Sequence, residues 1–145
     1  MFYGLDEPTF LRTENGKPYL EGDPLHISLS HVNGLLFFAV ARQEVGVDAE
    51  SVSRSVEYAA ILKKYPALSS IVADERDFLK VWTQVESGLK RFGGTLARDM
   101  KRLVVENGSP YFFGEKRTAF FTDVVEGCFV TVCTEEKEEV CFFAL

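Results

Sequence analysis

Strands, then two helices, then strands again predict an α+β fold: a mostly antiparallel sheet with two packed helices. Three observations lead there. Short apolar segments separated by tight-turn signals run from His26 to Glu50 and resume after Leu103. Between them, Phe78, Val81, Trp82, Val85, Leu89 and Phe92 recur at helical spacing. At 145 residues, 46% hydrophobic and 13% aromatic, the chain suits one domain, residues 1–145, with a substantial core.

Residues 1–25 contain "ENGKPYLEGDP", whose crowded glycines and prolines predict a loop with short extended pieces. "HISLS" (26–30), "GLLFFAVAR" (34–42) and "EVGVDAE" (44–50) then read as three strands of an antiparallel meander. Helical signals follow over 55–64 and, more strongly, over 75–92. Asp74 is placed to cap the second helix, and "GG" closes it. From Leu103 the runs "LVV", "YFF", "TAFFTDVV", "CFVTVC" and "VCFFAL" return to strand character, broken by "ENGSP" and "VEG".

Composition narrows the function. No apolar run approaches the roughly 18 residues of a membrane span, and Asp6 and Glu7 stand where a secretory leader carries cations. These features predict a cytoplasmic protein with no membrane partner. Cys128, Cys133 and Cys141, with no CxxC spacing and no neighbouring histidine, read as reduced, buried thiols. A formal charge of −6 argues against nucleic acid, whose binding needs a basic face.

Four segments carry candidate chemistry. On the second helix, Trp82, Glu86 and Lys90 share one face; alone, Glu86 and Lys90 read as a solvated ion pair in the favourable order. "GVDAE" ends an apolar strand with Asp48 and Glu50, whose period-two spacing points both carboxylates to one side. Such oxygens suit a hard cation such as Mg2+, although a strand-terminating Asp-x-Glu is usually a solvated loop entry. "SLSHVNG" places Ser30 and His31 before a turn, where hydroxyl, imidazole and backbone N–H groups can meet an anion. "GKPYL" adds Lys17 in another turn.

In this order, "NGKPYL", "ISLSHVNG", "VGVDAE" and "VWTQVESGLKRFGGTL" resemble the 4′-phosphopantetheinyl transferase superfamily over roughly residues 15 to 105. The resemblance implies a 4′-phosphopantetheinyl transferase-like fold. It also implies transfer of the phosphopantetheine arm of coenzyme A to a serine of an apo acyl or peptidyl carrier protein. Asp48, Glu50 and Glu86 would then ring Mg2+, Glu86 would be the base for the incoming serine, and Lys90 would meet the displaced phosphate. Lys17, Ser30 and His31 would bind the nucleotide end of coenzyme A.

The pattern departs from the family at Val85, where a lysine usually precedes the glutamate, and in carrying single-half length. A single copy implies a homodimer or homotrimer that completes the cofactor cleft. A non-enzymatic relative, binding coenzyme A or a carrier without transfer, is the main rival; an unrelated nucleotide-binding or structural module is the third reading.

Overall fold

The computed structural model describes residues 9–22 and 24–142. Asp6 and Glu7, and the last three residues of "VCFFAL", lie outside the described residues. The chain folds as an α+β protein with antiparallel strand pairs throughout.

The first sheet runs β1 (Phe10–Arg12), β2 (Pro18–Leu20), β3 (His26–Val32) and β4 (Leu35–Ala41), in that spatial order. Asn33 and Gly34, both with positive φ, close the β3–β4 hairpin as the two-residue turn whose twist matches the strands. The same solution joins β6 (Leu103–Glu106) to β7 (Ser109–Phe112) through Asn107 and Gly108, and β8 (Ala119–Val125) to β9 (Cys128–Thr134) through Glu126 and Gly127.

β5 (Val45–Ser51) corrects the three-strand meander. It pairs along its whole length with β9, giving a second sheet of order β5–β9–β8, while β6 and β7 form a third. One mostly antiparallel sheet is therefore three. β3 nevertheless lies beside β5 without forming a ladder: Val47 N–H donates to Ser28 Oγ and Ala49 N–H to Ser30 Oγ, each at 3.0 Å. Two serine hydroxyls thus satisfy backbone donors that an edge strand would leave open.

The two expected helices appear as α1 (Tyr58–Lys64) and α2 (Glu75–Phe92), with a short α3 (Leu96–Asp99) that the sequence reading missed. α2 has the ends its sequence demands. The Asp74 side chain accepts from Asp77 N–H, and Gly93 ends the helix in the left-handed conformation. α3 is capped by the Thr95 hydroxyl, which accepts from Arg98 N–H. Residues 140–142 of the expected last strand are not in a strand.

α2 is the central element. Val81, Val85 and Leu89 pack with Leu68, Met100, Leu103 and Phe112 in one core. Its other side presses on β5 at Gly46, where a Cβ would stand 1.8 Å from Ser87 O and 2.6 Å from Arg91 N. Only a residue without a side chain allows that approach. On the far face of β5, Val47 and Ala49 join Cys128 and Val130 against Val32, Leu35, Phe37 and Ala39. Among the described residues, no helix is long and apolar enough to cross a membrane. Cys128 and Cys133 are buried free thiols, but Cys141 is exposed, correcting its expected burial.

Candidate carboxylate site between α2 and β5

The Gly46 contact lets the Trp82–Glu86–Lys90 row of α2 meet the Asp48–Glu50 side of β5. Lys90 Nζ donates to Asp48 Oδ1 at 2.8 Å, a strand partner that replaces the solvated Glu86–Lys90 pair read from the helix alone. Ser30 Oγ donates to the same oxygen at 3.3 Å while accepting from Ala49 N–H. Asp48 is 6% exposed, and its Oδ2 is buried with no hydrogen-bond partner among the described residues. Burial raises the Asp48 carboxyl above the ordinary aspartate range, against the Lys90 charge, which lowers it.

Glu86 is raised too, to about 7, first by burial and then by the negative charge of Asp48. Glu50 adds to the rise; the Lys90 charge and a hydrogen bond from the Trp82 side chain oppose it. All three carboxylates therefore act on one another electrostatically. Arg54 holds Glu50 from above, with Nη1 2.6 Å from each carboxylate oxygen. Sequence reasoning missed Arg54, although its place four residues after Glu50 was a local signal.

The site suits a hard cation in donor type, in its like-charge repulsion and in the unpartnered Asp48 Oδ2. It is not a preformed cage. Among the described residues, no group of three or more His, Cys, Asp or Glu side chains is arranged to hold a metal ion, and the ammonium of Lys90 and guanidinium of Arg54 already engage two of the three carboxylates. The donor types suit Mg2+, and binding it would need Lys90 and Arg54 to give way and the carboxylates to draw together.

The residues expected at the nucleotide end are not brought together. Lys17 Nζ donates to Lys90 O at 2.6 Å and Arg91 O at 2.7 Å, capping the end of α2, and to Val45 O of β5 at 3.1 Å. Burial lowers its pKa to about 8. Ser30 is enclosed between β3 and β5. In this structure Lys17 and Ser30 both engage neighbouring elements: Lys17 binds backbone carbonyls of α2 and β5, and Ser30 holds Asp48 and the β5 backbone. His31, the next residue, is exposed on β3.

Val85, in the slot of the family's usual lysine, is completely buried in the α2 core. Gly88, in the interior of α2, lies under the Phe112 ring, 3.5 Å from where its Cβ would be. Arg91, pointing inward, is 1% exposed and pairs with Glu44 Oε2 at 2.8 Å. No protein-family model and no curated protein matches the chain.

Proposed function

We propose that the protein is a Mg2+-dependent 4′-phosphopantetheinyl transferase of the corresponding fold. In this reading it moves the arm of coenzyme A onto a serine of an apo acyl or peptidyl carrier protein. The observation that carries the proposal is Glu86, a half-buried carboxyl held near neutrality beside Asp48, Glu50 and Lys90. That combination matches the chemistry the four sequence motifs imply.

Glu86, whose carboxyl burial and Asp48 raise to about 7 in the metal-free site, is placed to take the proton of the attacking serine hydroxyl. Asp48, Glu50 and Glu86 would hold Mg2+, which when bound supplies charge neutralisation at the pyrophosphate linkage. Lys90, on the same face of α2, donates hydrogen bonds to the phosphate oxygens of the departing nucleotide. Ser30 and Lys17 position the site: the first fixes Asp48, the second ties the end of α2 to β5. Exposed His31 is left to meet the anionic end of coenzyme A. Association of identical subunits, as a dimer or trimer, belongs to the same reading, as does a cytoplasmic location.

Incubation with coenzyme A, Mg2+ and an apo carrier protein tests the proposal by mass spectrometry. Transfer adds one phosphopantetheine arm to the carrier. Binding of coenzyme A without that gain, across several apo carriers, favours the non-enzymatic relative.

A further inference from the structure

Lys90 stands in the wrong place for an anion ligand at rest. Its Nζ is 2.8 Å from Asp48 Oδ1, so its charge is directed into the carboxylate site. The contact leaves Asp48 half-used: Oδ1 accepts from both Lys90 and Ser30, while Oδ2, buried, accepts from nothing among the described residues. A buried carboxylate oxygen without a partner is costly to maintain. The arrangement is therefore incomplete on the side that carries charge, even with Lys90 in place.

We propose that Lys90 is an exchangeable counter-ion of this site: its ammonium and a divalent cation compete for Asp48, and binding of the metal releases Lys90 to face an anionic ligand. The inference rests on the metal reading above and adds an order of events to it. In the free protein, Lys90 offsets the charge of Asp48, which the close approach at Gly46 has brought under the helix. A divalent cation offers more charge and can engage Oδ2 as well. The lysine stem is flexible and its side chain is 32% exposed, so the ammonium can turn outward without breaking the core. Arg54 provides a contrast. It holds Glu50 from a 52% exposed position four residues away on the same chain segment, where solvent already weakens the pair. Release of Lys90 also links two ligands reciprocally: whatever binds the freed ammonium strengthens metal binding by the same factor.

The chain's one tryptophan provides the readout, because Trp82 stands one turn before Glu86 on the same face of α2. Titrating MgCl2 at matched ionic strength, and following Trp82 fluorescence with calorimetry in parallel, gives the Mg2+ affinity of the unmodified protein and of Lys90→Met. Removing the competitor should tighten Mg2+ binding at least tenfold. Equal or weaker binding in Lys90→Met overturns the exchange and leaves the transferase reading standing, whereas no Mg2+ binding in either protein overturns both. A second measurement needs no variant: limited acetylation of the unmodified protein, mapped by peptide mass spectrometry with exposed Lys101 as reference. Lys90 should become several-fold more reactive in Mg2+ than at the same ionic strength in NaCl. Unchanged or reduced reactivity overturns the exchange, whether or not the substituted protein folds.

Discussion

Lys90 and Asp48 join α2 to β5 through an ion pair of 2.8 Å, and Asp48 is buried at that contact. The pair exists because Gly46 lets the backbone of α2 lie on the strand two residues before Asp48. Gly46→Ala places a methyl group against Ser87 O and Arg91 N, backbone atoms that cannot rotate away. The variant should lose roughly 3 kcal/mol or more of stability by denaturant unfolding. A loss near zero would mean the helix can lift from the strand at no cost.

Gly88 is the opposite case. An added Cβ meets only the Phe112 ring at 3.5 Å, an ordinary contact distance. Gly88→Ala should stabilise the protein by about 0.5–1 kcal/mol, the helix-propensity gain of removing a flexible residue. Thermal unfolding checks it, and a lower Tm would mean that the contact with the Phe112 ring is not tolerated.

Glu86 ties stability to pH. Its carboxyl sits at about 7 against an ordinary 4.5, raised first by burial and next by Asp48. Between those values the folded chain holds a proton that the unfolded chain has released, so stability falls as pH rises through the window and the full penalty is present above 7. Glu86→Gln removes it. The variant should exceed its parent in stability by roughly 1–3 kcal/mol above neutrality, and the two should converge on approaching pH 4.5. Urea melts across the range decide this, and a difference independent of pH would contradict the assignment.

Lys90 and Val85 test where the cation must come from. Lys90→Ala should lower transfer about a hundredfold, roughly 3 kcal/mol of transition-state stabilisation. Val85→Lys should not restore it, because Val85 is fully buried among Leu89, Met100 and Phe112. An ammonium there lacks a partner and should destabilise the protein by about 3 kcal/mol or more. Rescue of Lys90→Ala by Val85→Lys, in a protein of unchanged stability, would show that the slot reaches the site.

The parts of the fold legible in the sequence were those set by local chemistry. Helix α2 carries its period, its Asp74 cap and its Gly93 terminus within one stretch, and the Asn-Gly hairpins carry their turn type in two residues. The pairing of β5 with β9 joins segments far apart in the chain, and nothing in "EVGVDAE" distinguishes it from a third meander strand. At the site, spacing placed Asp48 and Glu50 on one side and Glu86 and Lys90 on one helix face. It did not show that Lys17 and Ser30 turn inward, because a turn lysine and a strand serine look alike whether they meet a ligand or a backbone carbonyl. The terminal "VCFFAL" has strand composition, but its described residues have no ladder partner.

The most direct measurement is the carrier-dependent release of adenosine 3′,5′-bisphosphate from coenzyme A, followed for the unmodified protein and Glu86→Gln, with Mg2+ and with a chelator. The account predicts release only with apo carrier and Mg2+ present, and its loss in a folded Glu86→Gln protein, since the amide can neither accept the serine proton nor bring a charge to the metal. Undiminished release by Glu86→Gln, or in the chelator, would contradict it.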